Sequence, residues 1–282
     1  MAFDATQYKS TTRQQWQDAA EAWNAWGTLL GDWLGQATET MLDMAAIGPG
    51  SRVLDVAAGA GQQSLVAARR VGPTGHVLAT DISSNILDFA AENARIEGLD
   101  NLTTLVADGE ALDLAPESFD AAISRVGMIY FPDQQRALAN ILRALKPGGR
   151  FAAIVYGPPE KNGFFSKPVS IIRERAKLPP PAPGQPGPFS LGAPGVLAKA
   201  LKQAGFRDVE DRIVDAPVLL PSAAECVRFE RDSFGALHQM LGQLDAEAQD
   251  SAWQAIEDAL SAYETPSGFC GPCELIIAAG TK

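Results

Sequence analysis

Missing from the 282 residues is any apolar run near the roughly 20 positions that a membrane-spanning helix needs, and the polar start MAFDATQYKSTTRQQ has no signal-peptide core. The sequence therefore predicts a cytoplasmic protein with no membrane partner. A Lys/Arg-rich run is also missing: basic residues come as short pairs such as Arg69-Arg70, and the formal net charge is −11. Binding to a phosphate backbone is driven by clustered Lys and Arg that release counterions, so nucleic acid is not an expected partner. Cysteine is scarce, at three residues, too few for a disulfide framework. Cys270-Gly271-Pro272-Cys273 has a thioredoxin-like spacing, but it precedes a strand-like stretch, Glu274 to Ala278, instead of opening a helix. A helix N-terminus is what lowers a thiol pKa, so no redox role is expected. No metal centre is expected either. What remains is an ordinary globular composition, 46% hydrophobic and 20% charged, with enough apolar material for a large core. A small, neutral or weakly charged substrate suits it best.

The chain opens with a helical pattern from Thr12 to about Ala46, in which Trp16, Trp23, Trp26, Leu30, Trp33 and Leu34 recur at spacings of three and four. Four of the five tryptophans fall here, as core anchors or as a lid over a ligand. From Arg52 onward strands and helices alternate, the signature of a parallel sheet covered on both faces. Strands are expected at Val53–Val56, His76–Asp81, Leu102–Ala107, Phe119–Arg125, Arg150–Tyr156 and Phe206–Val214, with a final strand closing the chain. The expected fold is therefore α/β: a Rossmann-like, doubly wound, mostly parallel seven-stranded sheet with an antiparallel last strand. An N-terminal helical cap over residues 1–48 precedes a main domain over 49–282. Within that domain, the proline-rich stretch 158–194 reads as a lid, with a helix over Pro168–Lys177, and 217–265 as a helical insertion.

The chemistry concentrates after the first strand. A Gly-rich turn there lets backbone approach a ligand closely, and an acidic residue ending the second strand can accept both ribose hydroxyls. Gly59-Ala60-Gly61 and Asp81 meet that description at the right separation. The match is to a nucleoside-bearing cofactor. Two details argue against a dinucleotide: the pattern reads Gly59-x-Gly61-x-x-Ser64, without the third glycine of the dinucleotide fingerprint, and Asp55 ends the first strand while Asp108-Gly109-Glu110 follows the third. A carboxylate at the end of the third strand can accept from an adenine amino group.

With these residues the chain resembles the class I S-adenosylmethionine (SAM)-dependent methyltransferases, in the subgroup related to ubiquinone and menaquinone C-methyltransferases. The resemblance runs from about Trp16 to the C-terminus. Its carriers are VLDVAAGAG (Val53 to Gly61), ATDISSNIL (Ala79 to Leu87), VADGEAL (Val106 to Leu112), ESFDAAISRVGMIYFPD (Glu117 to Asp133) and LRALKPGGRF (Leu142 to Phe151). The resemblance implies SAM as cofactor. Asp55, Ala57, Gly59 and Gly61 would surround its methionine moiety, Asp81 the ribose, Ile82 the adenine face, Asp108, Gly109 and Glu110 the base edge, and Arg125 the methionine end. Ala57 stands where the family has its first glycine.

The acceptor half is quieter. Methyl transfer is an in-line displacement whose main demand is alignment in a dry site, so a general base is optional. Candidate bases are His238, Tyr130 and Tyr156, with Glu230 as a further one, while His76 reads as a surface residue. Trp16, Trp23, Phe164 and Phe165 are candidates for an aromatic roof suited to a flat or hydrophobic small molecule, with Phe189 beside them. The expected activity is methyl transfer to an O, C, N or S nucleophile. A nucleotide-dependent oxidoreductase and a non-catalytic SAM-binding protein are the alternatives, and a homodimer is compatible with the sequence.

Overall fold

Helix-forming segments with one apolar face enter the fold before the sheet does. A computed structural model describes residues 3–182 and 184–282. Helix α1 (Ala5–Ala25) starts seven residues before the expected Thr12, because Asp4 caps it by accepting from the amides of Thr6 and Gln7. A break at Trp26 separates it from α2 (Gly27–Met44). The two helices do different jobs. Helix α2 buries Leu30, Trp33, Leu34, Ala37, Met41 and Leu42 in the same core as the sheet, so it is a covering helix of the main domain. Only α1 has the character of a cap, lying on α4 (Ser84–Ile96) and α8 (Ala223–Ser233).

The sheet then builds outward from β1 (Arg52–Val56), whose burial on both faces follows from its run of apolar residues. Around it stand β2 (His76–Asp81), β3 (Leu102–Val106), β4 (Phe119–Arg125), β5 (Leu145–Tyr156) and β6 (Arg207–Asp215). The last strand is β10 (Glu274–Thr281), and the spatial order is β3-β2-β1-β4-β5-β10-β6. The first five run parallel, and β10 enters antiparallel between β5 and β6, as the sequence led us to expect. Helix α3 (Gln62–Val71) links β1 to β2, and α5 (Gln134–Ala144) links β4 to β5. The order reverses between β1 and β4, and in such sheets the ligand crevice opens there, outside the strands' carboxyl ends.

Beyond β5 the expectations hold less closely. Helix α6 (Gly163–Arg175) begins five residues before Pro168, because Phe164 and Phe165 are core residues that carry the first turn inward. Helix α7 (Val196–Gln203) precedes β6. The insertion holds α8, α9 (Gly235–Leu241) and α10 (Ala246–Leu260), and also a small sheet that alternation did not announce. In that sheet β7 (Val218–Leu220) and β8 (Glu264–Thr265) flank β9 (Gly268–Gly271). Cys270 and Cys273 lie at its junction with β10, with no helix opening there, and burial pushes the Cys273 thiol up. Among the described residues, no helix is long and apolar enough to cross a membrane.

Candidate active site

The loop from Asp55 to Gly61 is fixed before any ligand arrives. Asp55 is buried and accepts from Ser64 Oγ at 2.5 Å and Gln63 Nε2 at 3.3 Å. Desolvation raises its pKa to about 6 against the pull of those donors. Gln63 also donates to the Ala58 carbonyl at 3.1 Å, tying α3 back to the turn. Ala57 takes φ of +59° and Gly59 +58°, left-handed values that only glycine adopts without strain. Gly61, at +85°, has a different duty. A Cβ there would sit 2.8 Å from that of Ala90, so its bareness lets α3 approach α4.

Asp81 at the end of β2 completes the turn. One oxygen accepts from Gly59 N and the other from Ser83 N, each at 3.0 Å, while burial raises its pKa. A carboxylate has about four acceptor positions, so lone pairs remain for a ligand. Asp108, after β3, accepts from Glu110 N at 2.9 Å and from Lys9 Nζ of α1 at 2.7 Å. Lys9 also reaches Glu110 at 2.8 Å, and Glu110 in turn accepts from Asp133 N at 3.0 Å. Helix α1 is thereby clamped across the crevice by one ammonium on two carboxylates.

Under this clamp lies a cavity with some 980 Å³ of empty space, its open mouth included. Of the residues the sequence singled out for a cofactor, Ala57, Gly59, Asp81, Ile82, Asp108, Gly109 and Arg125 line it. Asp55, Gly61 and Glu110 do not; each holds a lining residue in place from behind. Gly109 must be bare, since a Cβ would come within 2.6 Å of the Phe131 ring. Arg125 is buried, takes only Thr38 Oγ1 at 3.2 Å, and has no carboxylate within ion-pair distance among the described residues. Desolvation lowers its pKa to about 10. A buried guanidinium without a counter-ion is costly, so a carboxylate on the ligand would complete it. The donor set thus fits a nucleoside that also bears a carboxylate.

The far end of the same cavity is aromatic. Lys9, Thr12, Trp16 and Trp23 share one face of α1 at spacings of three, four and seven. Trp16 meets Trp23 edge-on at 5.2 Å and Tyr130 at 5.6 Å, and Trp23 meets Phe234 at 6.0 Å. Tyr130 and Tyr156, the other two candidate bases, line the cavity, but burial pushes both phenols up, which works against a role as bases at neutral pH. The expected base His238 is corrected: α9 turns Leu237 and Leu241 inward and leaves His238 exposed, against the Arg231 carbonyl and Trp253. His76 is at the other end of β2, beside Thr103. Phe164 and Phe165 are corrected as roof residues too. They are buried among Trp33, Tyr156 and Phe234, and among the described residues none of the stretch 158–194 lines the cavity. Helix α1 and Phe234 supply the roof.

Sequence reasoning missed Lys9, Gln63, Phe131, Val126 and Phe234. Val126, at φ of +60°, is a β-branched residue in a conformation it rarely adopts, directly on the cavity wall. Val126 and Phe131 lay within a quoted motif, and no local signal marked the others.

A family model described as a methyltransferase domain matches residues 47–160. Nocamycin O-methyltransferase of Saccharothrix syringae is 30% identical over 196 residues, covering 66% of this chain and 70% of that protein. An uncharacterized protein of Mycobacterium tuberculosis is 38% identical over 165 residues, covering 54% of this chain and 58% of its own length. The chain therefore matches less than two thirds of that relative. Among solved structures, the YcgJ protein of Bacillus subtilis superposes with a TM-score of 0.58 at 19% identity, over 88% of this chain and 98% of the other, which shows a shared fold. The chain belongs to the methyltransferase family.

Proposed function

We propose that the protein transfers a methyl group from SAM to a small-molecule acceptor with an aromatic or hydrophobic body. The observation that carries this reading is one continuous cavity. At one end it presents the loop carboxylates Asp81 and Asp108 and the unpaired Arg125, and at the other an aromatic chamber under α1. Asp81 would hold the ribose hydroxyls, Ile82 would pack on the adenine, Asp108 with Gly109 would frame its edge, and Arg125 would take the methionine carboxylate. When bound, SAM supplies a methyl group on a positively charged sulfur.

The chain's own residues then do three things. The Asp55, Gln63 and Ser64 network holds the loop so that Ala57 and Gly59 present backbone at a fixed distance. Trp16, Trp23 and Phe234 exclude water and press a flat acceptor into line. Tyr130 and Tyr156, kept protonated by burial, orient an acceptor oxygen or nitrogen by donating to it. Among the described residues, none lining the cavity at this end is a base at neutral pH, so the acceptor arrives ionised or sheds its proton after transfer.

A methyl-transfer screen over phenols, quinols, amines and thiols, read by the added methyl in the product's mass, tests the proposal. Mass gain in at least one class, abolished in Asp81→Ala, is the expected result. Hydride transfer with a nicotinamide nucleotide in place of methylation would overturn it.

A further inference from the structure

The two edges of the seven-stranded sheet are built differently. At one edge β6 is charged at six of its nine positions, Arg207, Asp208, Glu210, Asp211, Arg212 and Asp215, and a bulge at Asp208, with φ of +49°, shifts its register against β10. Charges and bulges keep an edge from pairing with another chain. At the other edge β3 reads Leu102-Thr103-Thr104-Leu105-Val106 and has neither. Its inner side pairs with β2, and its outer backbone groups have no partner among the described residues.

Apolar surface gathers at the same edge. Among the described residues five large apolar side chains are exposed, and three of them are here: Leu105 and Val106 of β3, at 40% and 50%, and Ile96 in the last turn of α4, the helix that packs on β3. An uncharged strand of β-branched and apolar residues with a free edge is a template for a further strand.

The charges around β3 decide which strand that is. Val106, at its C-terminal end, borders a groove that Arg13 of α1 and Arg136 of α5 also line. Asp100, two residues before its N-terminal end, is exposed. None of these three charges has an ion-pair partner among the described residues. A second β3 laid antiparallel beside the first has its N-terminal end at the first one's C-terminal end, so its Asp100 arrives at Arg13 and Arg136, and symmetry repeats the exchange. A parallel copy would set like charges together at both ends. Centring the antiparallel pair on Thr104 gives the fullest overlap: Thr104 faces its counterpart, Thr103 faces Leu105 and Leu102 faces Val106, cross-strand pairs of the kind that hold such ladders together.

We propose that β3 is the contact between two copies of this chain, which join edge to edge about a two-fold axis into one continuous sheet. The assembly closes at two, because each copy uses its one uncharged edge. The groove beyond Val106 shares Lys9, Ile82, Ala107 and Asp108 with the main cavity, so the second copy's turn at Asp100 lies against the outer side of the carboxylate-lined end.

Sedimentation velocity of the full chain over a concentration series tests this, with circular dichroism on each sample to confirm the fold. Wild type should approach twice the chain mass. Leu105→Lys, at a side chain that is already exposed, should weaken the dimer by about tenfold or more, since it removes apolar burial and sets two charges into the pairing. Asp100→Arg should weaken it by about threefold, and adding Arg13→Glu and Arg136→Glu to that variant should restore it. Ile213→Lys, on the β6 edge, should leave the dimer as it is. A monomer at every concentration, which would assign the edge to another kind of partner, overturns the proposal. So do masses that grow past two copies, a dimer that Leu105→Lys leaves intact, a dimer that Ile213→Lys disrupts, and a triple variant that fails to restore what Asp100→Arg loses.

Discussion

At the end of the cavity built by the loops after β1, β2 and β3, each of the four carboxylates has partners: Asp55 takes Ser64 and Gln63, Asp81 takes two backbone amides, and Asp108 and Glu110 share Lys9. At the end under α1 the walls are Trp16, Trp23, Tyr130, Tyr156 and Phe234, and the tyrosine hydroxyls have no hydrogen-bond partner among the described residues. Polar groups that already have partners fix geometry in advance, which is what a shared cofactor needs. Groups left without partners are completed only by what enters, which is where specificity is decided. The comparison also separates stability from recognition: changes at the first end should disturb the loop and the cofactor together, and changes at the second should spare both.

The largest effect is expected from Asp81→Ala. It removes the ribose acceptor and the anchor of the Gly59 and Ser83 amides, so SAM affinity should fall by about a hundredfold or more, at a cost of about 1.5–3 kcal/mol per hydrogen bond to a charged group. Calorimetric titration reads it, with a melting curve to confirm the fold.

Asp55 gives the next largest effect, and it is visible in pH. Its folded pKa of about 6 lies above the ordinary aspartate value of 3.8, so the folded state binds the extra proton and stability falls as pH rises between those values. The shift is worth about 3 kcal/mol. Denaturant unfolding of Asp55→Asn at successive pH values should lack that part of the slope.

Smaller effects sharpen the comparison further. Ala57→Gly relieves the left-handed alanine and should raise stability by about 1 kcal/mol in denaturant melts, with SAM affinity retained. Lys9→Met opens the clamp of α1, and stopped-flow release of SAM should quicken by roughly threefold, as expected of a partly exposed ion pair. His238→Ala, on the outer face of α9, should leave both SAM affinity and turnover unchanged.

The same contrast explains what could be read from the sequence. The positions of the sheet's strands and the residues Ala57, Gly59, Asp81, Ile82, Asp108 and Arg125 were legible because each of these residues sits near the end of a strand, where register fixes which residue reaches the crevice. The roles of Gly61 and Glu110 were not: one is bare to let two helices meet, and the other turns back toward Lys9 and Asp133, both distant in sequence. The aromatic roof was half legible. Trp16 and Trp23 share a helical period, but Phe164 and Phe165 have the same character and pack inward, and nothing local tells a roof phenylalanine from a core one. Glu230 could be named from sequence only as an acid within a helical insertion. Its isolation is a property of the packing of α8 against α1, α9 and α10, which the periodicity of no single element contains.

The central claim is that the carboxylate-lined end of the cavity holds SAM. Titration calorimetry of the wild-type protein with SAM, S-adenosylhomocysteine and NAD tests it most directly. The account predicts one-to-one binding of the first two, lost in Asp81→Ala, and no measurable binding of NAD. Preferential binding of NAD, or SAM affinity unchanged in Asp81→Ala, would contradict it.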